Sequence, residues 1–257
     1  TRKESSAASD VYKRQMSYEL HIFDTLPSTN SYLLDLTKKN AKDWVVIYAK
    51  DQTQGKGYAG STWKTNAGEN LTFSFSITTD LSYPELIFLN EWVANVLRDF
   101  LVPYLPQVWV KWPNDVIAND KKLVGVLIES FQRDQQMYTV VGVGLNVNQT
   151  RFESNHKASS LKLLTDRTYD LLALLADLMA DFQARFYQIQ EKNFDDIHQT
   201  YQTYLYRKDV LSTFRAADKV FLGWIRKTDS DGKLWIELEN NELKSFLHKE
   251  IELLYGE

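Results

Sequence analysis

Residues 51–63 read Asp-Gln-Thr-Gln-Gly-Lys-Gly-Tyr-Ala-Gly-Ser-Thr-Trp, a Gly-x-Gly-x-x-Gly loop with a lysine between its first two glycines. Backbone amides in such a loop wrap a phosphate while the lysine neutralises it. In a dinucleotide-binding fold the loop opens a helix, with an acidic residue about 20 positions on. Here the chain instead passes Trp63 and the turn residues Asn66, Gly68 and Asn70 into Leu71-Thr-Phe-Ser-Phe-Ser-Ile77. That stretch alternates with period two, as a strand does. A doubly wound nucleotide fold is excluded, and the loop is left as either a phosphate cradle or a plain flexible connection.

Outward from the loop, helical and strand periods alternate. Tyr32, Leu33 and Leu36 recur at helical spacing over 29–39, with Ser28 or Thr29 placed to cap them. Residues 44–49 read as a strand. Pro84 is expected to open a helix carrying Leu86, Leu89, Val93, Val96 and Phe100. Short strands follow at 108–111, 115–118, 122–129 and 137–147, with a hairpin turn at Asn119-Asp120. The longest helix is expected from Tyr169 to Gln190 and another from Phe194 to Tyr206. Beyond Arg207, strands at 220–225, 233–238, 243–247 and 250–254 describe a small all-β module. Residues 1–15 have no apolar periodicity and read as a translated flank ahead of a start at Met16, without the apolar core of a signal peptide.

Three further stretches carry polar chemistry. In Lys111-Trp-Pro-Asn-Asp115 the proline forces a turn that presents Asn114 and Asp115 at a strand end. The pair suits a Mg²⁺ or ribose site, or equally a local Asx turn. In Lys121-Lys-Leu-Val-Gly125 two lysines enter an apolar strand whose glycine suggests close approach by a ligand or another backbone. Val141-Gly-Val-Gly-Leu-Asn-Val-Asn148 is a buried strand with asparagines at its end, fit either to meet a nucleotide or simply to pack tightly.

Composition narrows the class. The 257 residues are 44% hydrophobic and 25% charged, as in an ordinary globular protein, and no apolar run reaches the roughly 18 residues of a membrane helix. A net charge of −4 gives no footprint for nucleic acid. Cysteine is absent, which removes disulfides, thiol nucleophiles and cysteine-ligated metals and fits a reducing cytoplasm. His21, His156, His198 and His248 are scattered, with no metal-ligand spacing. Seven of ten glycines lie between Gly55 and Gly144, which locates the site there.

The ordered set of Ser28-Thr29-Asn30, the Gly-Lys-Gly loop with Trp63, Lys-Trp-Pro-Asn-Asp, Lys-Leu-Val-Gly and Gly-Val-Gly-Leu-Asn-Val-Asn, followed by a small β-module, resembles biotin–protein ligases. The resemblance implies an α+β fold: a mixed sheet flanked by helices, like a class II synthetase, over residues 16–207, and an SH3-like β-barrel over 208–257. It implies a two-step reaction. The biotin carboxylate attacks the α-phosphate of ATP, with Mg²⁺, giving biotinyl-5′-adenylate and pyrophosphate. A lysine amine of a biotin carboxyl carrier protein then takes the acyl group and AMP leaves.

By the same resemblance Ser28, Thr29, Asn30 and Gln52 surround biotin, and Lys56, Gly57 and Tyr58 close over it. Lys122 is the catalytic cation, assisted by Lys56 and Asp115. Gly55, Trp63, Asn114, Asp115 and Asn146 meet ATP, with Asp115 at the metal. Many relatives carry arginine where this loop has Lys56, Tyr58 and Ser61, so a looser grip on the adenylate is expected. Twelve positions from Met16 to Ser28 leave no room for the DNA-binding domain of some relatives. The expected partners are therefore biotin, ATP and the carrier domain, with no nucleic acid or membrane, for a monomer or weak homodimer. Lipoate–protein ligase and a non-catalytic biotin sensor are the alternatives; octanoyl transferases need a cysteine.

Overall fold

The computed structural model describes residues 18–57, 60–152 and 157–255; the 1–15 flank, Tyr58 and His156 lie outside the described residues. Seven strands form one mixed sheet: β1 (Glu19–Leu26), β2 (Val45–Gln52), β3 (Leu71–Thr79), β4 (Val108–Lys111), β5 (Asp115–Ala118), β6 (Lys121–Arg133) and β7 (Gln136–Leu145). Their order is β1-β2-β3-β7-β6-β5-β4, with β1 and β2 parallel and the other pairs antiparallel. The helices are α1 (Thr29–Lys39), α2 (Leu86–Leu101), α3 (Leu161–Thr165), α4 (Leu171–Arg185), α5 (Tyr187–Gln190) and α6 (Phe194–Thr203). A mixed sheet flanked by helices is the expected architecture.

Strand alternation explains how the sheet makes a site. Val46 and Tyr48, Leu71, Phe73, Phe75 and Ile77, Val124 and Val126, and Val141, Val143 and Leu145 all join the main core with α2 and α4, where Trp92, Leu175 and Phe182 are fully buried. The intervening residues fall on the opposite face. There Val45, Ile47, Ala49 and Val140 pack under Leu33 of α1. Beside Leu127, several positions on that face are small: Ser74 on β3, Gly125 on β6, Gly142 and Gly144 on β7. Little side-chain volume covers the sheet there, and a cavity results.

Five more strands, β8 (Leu211–Ala216), β9 (Lys219–Thr228), β10 (Leu234–Leu238), β11 (Leu243–Phe246) and β12 (Glu252–Leu254), form an antiparallel sheet in the order β11-β10-β9-β8-β12. Phe214, Ile225, Leu234 and Ile236 from this sheet share one buried cluster with Val110, Trp112, Tyr201 and Leu205. Among the described residues, no helix is long and apolar enough to cross a membrane.

Some expected elements differ. Pro84 does not open α2 but sits in a tight turn ahead of it, closed by the Glu85 carboxylate accepting from the Ser82 amide and hydroxyl, both at 2.7 Å. The predicted 169–190 helix is two pieces, α4 and α5, separated at Phe186, so α2 is the longest helix. The Asn119-Asp120 turn is present, both residues at positive φ of 49° and 55°, as a two-residue hairpin of this hand requires.

Candidate active site

The cavity on the small-residue face has a volume of about 680 Å³, within the range of small-molecule sites. Its floor begins at α1. Ser28 caps the helix, accepting from Ser31 N, and Ser28, Thr29 and Asn30 are all buried at 3% exposure. Buried polar groups must be paired, and here they pair with the sheet. Gln52 Oε1 accepts from Thr29 N at 2.7 Å and from Thr29 Oγ1 at 3.2 Å. Ser74 Oγ lies 2.8 Å from both Thr29 Oγ1 and Asn30 Oδ1, while Asn30 Nδ2 donates to Glu129 Oε2 at 2.8 Å. A Cβ on Gly142 would stand 2.2 Å from Asn30 Oδ1. Glycine is what lets Asn30 approach the strand.

The Gly-Lys-Gly loop closes as a narrow hairpin. Gly57 N donates to Ser61 O at 2.8 Å and Trp63 N to Gly55 O at 3.0 Å, around a Lys56–Thr62 bridge. Lys56 and Gly57 reach the cavity wall, whereas Gly55, expected at the nucleotide, is set back from it. A Cβ at Gly55 would lie 2.3 Å from Trp63 O, so the hairpin leaves no room for a side chain there. The expected role of Tyr58 lies outside the described residues. The Trp63 indole rests on the sheet where Gly144 and Gly125 leave space, and its Nε1, though buried, has no partner.

Across the cavity, Lys111 and Asp115 face each other in the β4–β5 register, joined by a turn with a cis Trp112–Pro113 bond. Lys122 Nζ is 2.6 Å from Asp115 Oδ1 and Lys111 Nζ is 3.9 Å from Oδ2. A register shift in the β5–β6 ladder pairs Val116 with Val124 and Ile117 with Lys122, leaving Leu123 as the extra residue. Such bulges re-aim side chains; Lys122 lines the cavity and Lys121 does not. Asn114, also expected at ATP, lines the wall, and its Nδ2 donates to Val126 O at 3.2 Å and Asn90 Oδ1 at 3.3 Å. Asn146 lines the wall at the end of β7, its backbone N–H bound to Leu123 O.

The cavity is strongly cationic. Lys56, Lys64, Lys111, Lys122, Arg151 and Lys249 line it against a single carboxylate, Asp115. Burial pushes the Lys111 ammonium down, as do Lys122 and Lys157, against the pull of Asp115. Lys111 and His248 were noted in the sequence without a role at the site, and Lys64, Arg151 and Lys249 were not singled out. Lys249 and His248 come from the β11–β12 turn of the C-terminal sheet, about 130 positions from Lys122. The left-handed φ of 74° at Lys249 is the local signal of a constrained turn. Burial, then the neighbouring Lys111, holds the His248 imidazole below its usual range.

Residues 22–146 match the Biotin/lipoate A/B protein ligase family. The chain belongs to that family. The "Bifunctional ligase/repressor BirA" of Bacillus subtilis is 26% identical over 93% of this chain and 75% of its own length. The "Biotin--[acetyl-CoA-carboxylase] ligase" of Mycobacterium tuberculosis is 30% identical over 68% of this chain and 66% of its own. The biotin protein ligase of Aquifex aeolicus, solved in complex with biotin and ATP, superposes with a TM-score of 0.73 at 23% identity, over 92% of this chain and 98% of that one. The segment matched by the biotin/lipoate ligase family runs from β1 to just past β7 and holds the described residues expected from sequence at the site. Arg151, His248 and Lys249 of this family member fall outside it.

Proposed function

We infer that this protein activates biotin with ATP and transfers it to a lysine of a biotin carboxyl carrier protein. The supporting observation is the division of one cavity into two chemistries. At the α1 end, buried Ser28, Thr29 and Asn30 with half-buried Gln52 offer paired donors and acceptors suited to a ureido ring. Elsewhere on its wall six cations outnumber one carboxylate, Asp115, which Lys111 and Lys122 flank, and this excess of positive charge suits a carboxylate and a triphosphate together. A dithiolane ring offers no hydrogen-bonding groups, so lipoate would leave that polar end unpaired on desolvation, which is costly. A sensor that only binds biotin would not need the cationic half.

Negative charge grows on the phosphoryl oxygens as the biotin oxygen bonds to phosphorus and the bond to pyrophosphate breaks. Lys122 and Lys56 stand where fixed cations stabilise that charge, and such a cation acts more on the transition state than on the ground state. Among the described residues no cluster of three metal-ligating side chains occurs. Mg²⁺ is typically held by one or two carboxylates plus substrate phosphates, and Asp115 is the carboxylate on the cavity wall. Asp115 would be its protein ligand, and the ion would neutralise phosphate charge. In the second step the acceptor amine attacks the acyl carbon, the acyl–phosphate bond breaks and AMP leaves. We place the catalytic part at 16–207 and the C-terminal β-unit at 208–257, in a cysteine-free chain suited to the cytoplasm as a monomer or weak homodimer.

The test is pyrophosphate exchange into ATP with biotin, lipoate or neither, followed by transfer to an apo carrier domain. Biotin-dependent exchange and labelling of the carrier lysine are expected. Exchange with lipoate alone, or biotin binding without exchange, would refute the reading.

A further inference from the structure

The turn that presents Asp115 is gripped by residues that never reach the cavity. The Pro113 carbonyl accepts from the Tyr201 hydroxyl at 2.9 Å and from Asn90 Nδ2 at 3.0 Å, which occupies both of its lone pairs. Asn90 Oδ1 in turn lies 3.3 Å from the Asn114 amide nitrogen. Asn90 belongs to α2 and Tyr201 to α6, and neither lines the cavity. Burial raises the Tyr201 phenol well above its usual value, so it stays a donor.

The C-terminal sheet holds the same turn from the other side. Trp112 Nε1 donates to the Gly232 carbonyl, in the β9–β10 connection, at 3.0 Å. Next to Tyr201 on α6, Gln202 ties the helix to β9. Its Nε2 donates to Thr228 O at 3.1 Å and Oγ1 at 2.5 Å, and its Oε1 accepts from Thr228 N at 3.2 Å. β4 and β5 are four residues each, and proline brings no N–H to their ladder, so the hairpin has few means of fixing its own tip.

We propose that Tyr201 and Asn90 are positioning residues for nucleotide activation: they hold the Pro113 carbonyl so that Asp115 stands beside Lys122, and the C-terminal sheet sets the turn through Trp112 and Gln202. This rests on the ATP-dependent function proposed above. Catalytic groups tolerate little misplacement; an error of about 1 Å costs up to a hundredfold. Loss of one hydrogen bond to a buried carbonyl, with the ring retained, should shift the turn by less than that.

The experiment compares the natural chain with Tyr201→Phe, Asn90→Ala, Gln202→Ala and Ile197→Val. The last trims a buried α6 side chain that makes no bond to the turn. KM for ATP and kcat are read from pyrophosphate exchange, Kd for biotin and for ATP from calorimetry, and folding from denaturant unfolding. Tyr201→Phe and Asn90→Ala are expected to raise KM for ATP about three- to tenfold and lower kcat, with Kd for biotin within about twofold of natural. Gln202→Ala should move the same constants in the same direction. Ile197→Val should lower stability and leave KM for ATP unchanged. Folded Tyr201→Phe and Asn90→Ala variants with natural KM and kcat overturn the proposal, and so does an equal KM rise in Ile197→Val. If the natural chain shows no biotin-dependent exchange, the functional reading fails instead. Calorimetry then decides the positioning, since equal ATP affinity in the natural chain and Tyr201→Phe overturns it.

Discussion

Lys122 Nζ and Asp115 Oδ1 stand 2.6 Å apart, brought together from two strands by the Asn119-Asp120 hairpin and a bulge at Leu123. The pair is about three-quarters shielded from solvent and Lys111 flanks it, so the carboxylate is compensated before any substrate enters. Lys122→Ala should therefore leave a folded chain whose biotin-dependent pyrophosphate exchange is lower by on the order of a hundred- to a thousandfold. Lys121→Ala, one residue away and off the cavity wall, is the control and should stay within a few-fold of natural. Near-normal exchange in folded Lys122→Ala would remove this lysine from the chemistry.

Gly142→Ala would place a methyl group 2.2 Å from Asn30 Oδ1, and Asn30 is pinned by Glu129 and Ser74. The side chain has to give way, which breaks buried hydrogen bonds at about 1–3 kcal/mol each. We expect biotin affinity to fall at least tenfold in calorimetry, with the ATP constants less affected. Retained biotin affinity would mean that the α1 cluster does not hold the ring.

Lys249 sits on the cavity wall although it comes from the C-terminal sheet. Charge-assisted contacts to phosphate contribute roughly 1.5–3 kcal/mol. Lys249→Ala should raise KM for ATP by about tenfold, and the effect should shrink as salt is raised. The same KM at low and high salt in natural and variant chains would place this ammonium away from the nucleotide.

The Glu91 carboxylate lies with both oxygens 3.0 Å from His198 Nδ1, and this bond raises the imidazole above its ordinary value of 6.5. Burial pushes the Glu91 carboxyl up as well, despite the pull of His198. Both groups therefore bind protons more tightly in the folded chain. The His198 contribution is complete below pH 6.5 and is lost as pH rises through the raised value; that of Glu91 declines from about 4.5 upward by the same sign. Denaturation midpoints taken from pH 6 to 9 should fall more steeply for the natural chain than for His198→Gln. Parallel curves would show that the pair carries no proton linkage.

Much of this fold is legible in local pattern. Period-two alternation in Leu71–Ile77 assigns each side chain to the core or the cavity face, and the scarcity of glycine marks where that face is bare. The glycines at 142 and 144 suggested tight packing or a ligand, and the structure shows packing against Asn30 and Trp63 that itself shapes the cavity. What sequence missed is non-local. Lys249 and His248 look like an ordinary solvated turn, because only the docking of the second sheet turns them inward. β8 went unread because its outer positions, such as Leu211 at 46% exposure, break the contrast between apolar and polar. The 169–190 periodicity spans a break at Phe186 because α4 and α5 bury residues on the same core.

The cluster that joins Phe214, Ile225, Leu234 and Ile236 to Val110, Trp112, Tyr201 and Leu205 bears on how such a chain changes by recombination. A cut at Arg207 looks natural in sequence, yet it would strip water-excluding cover from Trp112 and Tyr201, the residues on either side of the Pro113 turn. The two sheets should then melt in one transition, and the severed first part should aggregate rather than work slowly. A C-terminal sheet borrowed from a relative would be accepted only if its inner face fitted that indole and that phenol. Inheritance of the two pieces is thereby linked, although only a few residues of chain join them covalently.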